Sequence, residues 1–188
     1  MNSRWKRLLI DGLILLLVIV IAVPLLRIGY RRYTQMAYPL TYTELVEQYS
    51  KEFDLTPSLI YGVIYTESRF QPEAVSSAGA KGLMQITDST FEWVLTKLGE
   101  ENGDVFDPET NIRCGAKILQ ILCGEFDNIE TVLAAYNAGI GNVGRWLEDS
   151  AYSEDGKTLH TIPFPETREY VVRVLNAQKM YQTLYEIP

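Results

Sequence analysis

Residues 56–68 read TPSLIYGVIYTES, and the fold follows from how that stretch is built. Thr56 followed by Pro57 is a helix start: a capping side chain, then a ring whose fixed φ suits the first helical position. Leu59, Ile60, Val63 and Ile64 then recur at helical spacing, which predicts a helix to about Ser68. The same punctuation repeats outward. Thr41-Tyr42-Thr43-Glu44 has capping-box spacing and predicts a helix to about Phe53. Asp88-Ser89-Thr90 opens a helix to about Leu98. Asp107-Pro108 opens a longer one, with Ile112, Ala116, Leu119 and Leu122 on one stripe. Asn128 to Asn137 is a short apolar helix stopped by Gly139, and Gly141 to Leu147 reads as another. Pro165-Glu166 opens the last, with Tyr170, Val171, Val174, Leu175 and Met180 as its core face. No segment alternates as a strand would. The expected fold class is all-α, with about six to eight short helices between residues 41 and 185. Two longer connections, Gln71–Gly82 and Ser150–Pro165, are of the kind that often carry function.

The chain has 188 residues, enough for one domain and a tail. The tail is apolar. From Leu8 to Leu26 nearly every residue is Leu, Ile or Val, and at 1.5 Å per residue the run spans roughly 28 Å, close to a bilayer's hydrocarbon core. Asp11, Gly12 and Pro24 lie near its ends. A cleavable signal would have a shorter apolar run and a small-residue cleavage site. Here Arg27 and Arg31-Arg32 follow instead, so the segment is read as an uncleaved transmembrane anchor. The expected organisation is 1–32 as cytoplasmic residues and anchor, 33–40 as linker, and 41–188 as the functional domain. Residues 1–32 hold six basic side chains against Asp11, leaving 11 basic and 23 acidic residues beyond. So acidic a domain offers no patch to neutralise phosphates, which argues against nucleic acid as a partner. Basic residues flank the apolar run equally on both sides, so charge alone barely orients it.

Several polar residues could carry chemistry. Glu67 follows Ile64 by three residues and Val63 by four, on or beside the buried face. Apolar surroundings and the negative helix end both raise a carboxyl pKa there, which suits a general acid. The alternative is an ordinary helix-end Glu, paired with Arg69 or solvated. Met84 and Gln85 follow the turn Gly79-Ala80-Lys81-Gly82 and could line a sugar pocket, or Met84 could be core. Tyr136 could hydrogen-bond Glu67 or a reacting sugar, with Asn137 tying the cleft wall. Glu166 could be a second carboxylate facing the cleft, and Tyr170 could add a wall. Cys114 and Cys123, about 13.5 Å apart along one helix and on opposite faces, cannot pair; both are read as reduced and mostly buried. His160 has no evident partner. No cluster at ligand spacing implies a metal.

Together, Glu67-Ser68-Arg69-Phe70, Gly82-Leu83-Met84-Gln85, Ala135-Tyr136-Asn137-Ala138-Gly139 and Pro165-Glu166-Thr167-Arg168-Glu169-Tyr170-Val171 resemble, in order and spacing, the catalytic domain of soluble-type lytic transglycosylases. That family shares a lysozyme-like fold with goose-type lysozymes. The resemblance covers about residues 54–184. It implies Glu67 as the single catalytic acid and base, Ser68 as its orienting neighbour or an acetamide contact, and Met84, Gln85, Tyr136, Asn137 and Glu166 as cleft residues. Lys117-Ile118 departs from relatives, which often carry an aromatic there. The implied substrate is the glycan strand of peptidoglycan, cut between N-acetylmuramic acid and N-acetylglucosamine to leave 1,6-anhydromuramoyl ends. No cofactor is implied. The domain is then expected on the extracytoplasmic side of the cell membrane, held by one span. A hydrolytic muramidase on the same fold would need a second carboxylate, with Glu73, Asp88 and Glu166 as candidates. A non-catalytic wall-binding protein is the other alternative, and the intact Glu67 argues against it.

Overall fold

A computed structural model describes residues 3–188. Eight helices follow in order: α1 Ser3–Ala37, α2 Thr43–Glu52, α3 Pro57–Glu67, α4 Asp88–Leu98, α5 Pro108–Glu125, α6 Ile129–Ala138, α7 Ile140–Leu147 and α8 Pro165–Tyr185. Among the described residues there is no strand, only two isolated bridges, Val75–Lys81 and Lys81–Ile86.

The chain divides into two units, Met1–Leu40 and Thr41–Pro188. In the first, α1 is long and apolar enough over Asp11–Ala37 to cross a membrane, with mean hydropathy 2.7. It runs on through Arg31 and Arg32 to Ala37. The expected linker 33–40 is therefore mostly helix. Nothing between Tyr30 and Tyr38 breaks a helix, and only Pro39 forbids its continuation.

In the second unit α3 is the centre. All its residues from Ser58 to Ile64 are buried, as expected of a helix apolar all round. Its tightest partner is α8. Gly62 permits this: a Cβ there would lie 3.0 Å from the Val174 carbonyl and 3.1 Å from the Gln178 amide. The α6 helix packs on α8, α5 and α7, α2 on α5 and α3, and α4 on α5. Asp107 caps α5 by accepting from the Thr110 amide, and Asn128 caps α6 by accepting from Glu130 and Thr131. The expected capping box at Thr41 does not form. Tyr42 holds the cap position in the left-handed region, with φ 56° and no side-chain cap. Both cysteines are free; Cys114 is buried, but Cys123 is exposed, contrary to expectation. Opposite faces of one helix meet opposite environments.

Candidate active site

At Glu67 the α3 helix ends, and the backbone turns at once through two left-handed non-glycine residues, Arg69 at φ 52° and Phe70 at φ 63°. Such conformations are strained for L-residues and persist only when the surroundings enforce them. Here the chain folds back, and residues 82–85 lie beside the end of α3. The Ser68 hydroxyl donates to the Leu83 carbonyl at 2.8 Å. From α5, Asn111 accepts from the Met84 amide at 2.7 Å and donates to the carbonyls of Val105 at 2.7 Å and Lys81 at 3.2 Å. From α6, the Tyr136 hydroxyl donates to the Met84 carbonyl at 2.9 Å. The Gln85 side chain donates to the carbonyls of Gly82 at 2.9 Å and Ala74 at 3.1 Å. Gly82, at φ +76°, has no room for a side chain, since a Cβ would strike Asn111 and the Val105 carbonyl.

These braces wall a cleft of about 430 Å³. Glu67 lies in it, together with Gln85, Tyr136, Asn137 and Glu166. Ser76, Thr87 and Thr90 add hydroxyls, and Ile86, Ile118 and Ala138 add apolar surface. Desolvation pushes the Glu67 carboxyl up from 4.5 to about 7. The Tyr170 hydroxyl, followed by the Arg173 charge, pulls it back down. That Tyr170 hydroxyl is buried and reaches no partner at regular hydrogen-bond geometry, so its hold on the carboxyl is one of proximity. Tyr136 and Tyr170 are in turn pushed well above 10, first by burial and then by the Glu67 charge. Both stay neutral near pH 7 and keep a hydroxyl proton to donate. Arg69 does not partner Glu67; its guanidinium stacks 3.8 Å from the centre of the Tyr65 ring.

Of the residues expected from sequence, Glu67, Gln85, Tyr136, Asn137 and Glu166 come together around the cleft. Three others are placed behind it. Met84 is fully buried, its side chain seated where Gly115 leaves room for it. Ser68 is buried, with its hydroxyl spent on the Leu83 carbonyl. Tyr170 is buried behind Glu67 and is no cleft wall. Tyr136 donates to Met84, not to Glu67. Asn137 accepts from the Thr167 hydroxyl at 2.8 Å, which ties α6 to the start of α8 as a cleft tie should. Glu73 and Asp88 do not line the cleft, and Asp88 is held by Lys81 at 2.6 Å. Sequence reading missed Asn111, the hub of the wall. Its signal was an amide on the apolar stripe that continues through Gly115, Ile118 and Leu122, since a buried polar group needs partners.

Comparison with known proteins agrees with this architecture. The transglycosylase SLT domain family matches residues 44–159. The soluble lytic murein transglycosylase of Escherichia coli K12 is 36% identical over 151 residues, covering 77% of this chain and 23% of the relative. Membrane-bound lytic murein transglycosylase C of Mannheimia succiniciproducens is 32% identical over 166 residues, covering 75% of this chain and 46% of the relative. An inactive mutant of the lytic transglycosylase Slt from Pseudomonas aeruginosa superposes with a TM-score of 0.71 at 30% identity, covering 82% of this chain and 26% of that one. The chain thus spans about a quarter of the soluble relatives and under half of the membrane-bound one.

Proposed function

The chain belongs to the transglycosylase SLT family, as its four motifs implied, and from that premise we propose that it is a membrane-anchored lytic transglycosylase of peptidoglycan. One observation carries the reading: a carboxyl in a glycan-sized cleft, pushed by desolvation to about 7, so that a large share of it is protonated near neutral pH. Protonated Glu67 gives its proton to the glycosidic oxygen as the bond between muramic acid and glucosamine breaks. The substrate's own acetamide oxygen stabilises the oxocarbenium-like carbon. Glu67, now ionised, takes the proton of the muramoyl 6-hydroxyl, whose oxygen closes on C1. The result is a 1,6-anhydro ring, with no water consumed. An ordinary glycosidase needs two carboxylates flanking the bond. Here the second nucleophile is intramolecular, already at high effective concentration, and one carboxyl regains the proton it gave.

Ser68, Met84 and Tyr170 serve this chemistry from behind, by fixing the wall and the carboxyl. Gln85, Tyr136, Asn137 and Glu166 face the sugar. The α1 helix anchors the domain, and the substrate's location places residues 41–188 outside the membrane with the first seven residues in the cytoplasm.

Mass spectrometry of peptidoglycan digested by the full-length protein tests this. Anhydro-muramoyl ends are expected, and Glu67→Gln should reduce their formation by about 10²- to 10⁴-fold. Reducing ends would instead make the enzyme a hydrolase, with Glu166, the other carboxylate lining the cleft, positioning water.

A further inference from the structure

We propose that Trp93 extends the cleft along α4 as a stacking platform for a sugar beyond those held around Glu67. The inference rests on the glycan substrate proposed above. A single exposed apolar residue needs no explanation in itself; the position of this one is what matters. The α4 helix buries Phe91, Val94 and Leu95 and turns Trp93 outward, 42% exposed. By contrast Trp146 is buried against Phe164. The cleft wall at this end is made by Thr87 and Thr90, joined by a 2.9 Å hydrogen bond between their hydroxyls. Trp93 is three residues after Thr90, so it lies on the same flank of the helix, about 4.5 Å further along its axis. The Lys97 ammonium stands over one face of the indole, 5.9 Å from the ring centre.

The chemistry fits a sugar. A pyranose presents C–H groups on its face and hydroxyls on its edge. An indole has two apolar faces; Lys97 stands over one, the other is left for a sugar, and the threonine hydroxyls offer edge partners. A polymeric strand lying in the cleft continues past its end, and the flank of α4 is the surface it meets there. The contact would not touch the reacting bond. It would act on how firmly long strands are held.

The test uses the full chain in detergent, with peptide-free strands of alternating N-acetylglucosamine and N-acetylmuramic acid of two, four and eight sugars as probes. Binding is measured in a Glu67→Gln background, with and without Trp93→Ala. Affinity should rise with length when Trp93 is present. Trp93→Ala should weaken the longest strands by about five- to tenfold, the loss of one aromatic contact, and leave the two-sugar probe unchanged. Trp93→Tyr should restore most of the loss. In the active enzyme, KM for long strands should rise while kcat holds. Equal binding of long strands by both proteins would overturn the proposal, as would an equal loss at every length. So would a defect seen only in association with phosphatidylglycerol vesicles, which would make Trp93 a membrane contact. Absence of anhydro products from the protein with Trp93 intact would count against the transglycosylase reading alone, because the length dependence of binding is read without turnover.

Discussion

Holding Glu67 neutral should make the wild-type protein less stable as pH rises, and Glu67→Gln should remove that penalty. The carboxyl titrates at about 7 when folded, against 4.5 for an ordinary glutamate. Between those values the folded state binds more protons than the unfolded one, so stability falls with rising pH. The sign is opposite to that of a salt-bridged carboxylate. Each unit of difference is worth about 1.4 kcal/mol, which gives about 3 kcal/mol as the ceiling once both states are ionised. Glu67 lines an open cleft and keeps some exposure, so about 1–3 kcal/mol is the expected range after solvent screening.

Thermal unfolding of the two proteins in the same detergent, from pH 4 to pH 8, measures this. At pH 4 both states of the wild type are largely protonated, and the gap between the proteins reflects only packing of the amide. It should then widen in favour of Glu67→Gln from about pH 4.5 and level off above about pH 7. For a domain of this size the added gap corresponds to roughly 2–10 °C in Tm. The amide does not titrate, so any fixed effect of the substitution shifts the whole curve and leaves its slope untouched. Parallel curves across the range would mean that Glu67 ionises as it would in water, and the desolvation argument would be wrong.

Turnover should share that ionisation. In the proposed mechanism the acid must be protonated, so kcat/KM should fall on the alkaline side with a midpoint near 7. Tyr170 lowers the Glu67 pKa, so Tyr170→Phe should move that midpoint upward in a pH–rate profile. Asn111→Ala strips partners from a buried amide and two carbonyls; it should cost about 3–5 kcal/mol in urea unfolding and abolish turnover even where the fold survives. Removing residues 1–32 should release the protein from the membrane fraction and leave cleavage of isolated soluble glycan strands intact.

Most helices were legible because their ends are local chemistry. Pro57, Pro108 and Pro165 stand at first helical positions, and Asp107 and Asn128 cap with their own side chains. Glu67 was legible for a similar reason: helical spacing alone puts it beside Val63 and Ile64. What could not be read was which polar groups meet across the fold. Ser68 and Met84 occur in motifs that suggest contact with sugar, yet the bonds that bury them run to residues 15 and 27 positions away. Periodicity says nothing about such pairs. Tyr170 shows the same limit. Its helical register predicts a core-facing ring, but only the packing of α8 on α3 reveals that its hydroxyl ends at Glu67. The end of α1 went the other way, since residues 33–38, aromatic and polar, look like a linker while containing nothing that stops a helix.

The braces around Met84 and the pKa of Glu67 are two sides of one requirement. A carboxyl keeps a pKa near 7 only if water around it is restricted, and a cleft wall able to relax would let more water in. The wall is a loop, residues 82–85, which has no helical hydrogen bonds to stiffen it. Its stiffness comes from α3 through Ser68, from α5 through Asn111 and from α6 through Tyr136, each bonded to backbone of that loop. Three helices therefore converge on four residues, and the left-handed turn at Arg69 and Phe70 is the price of bringing that loop against the end of α3. A one-carboxyl mechanism depends on this rigidity more than a two-carboxyl one does. The same oxygen atoms must deliver a proton to one position and collect it from another within a single cycle, so the substrate's two oxygens have to be held on either side of a carboxyl that does not move.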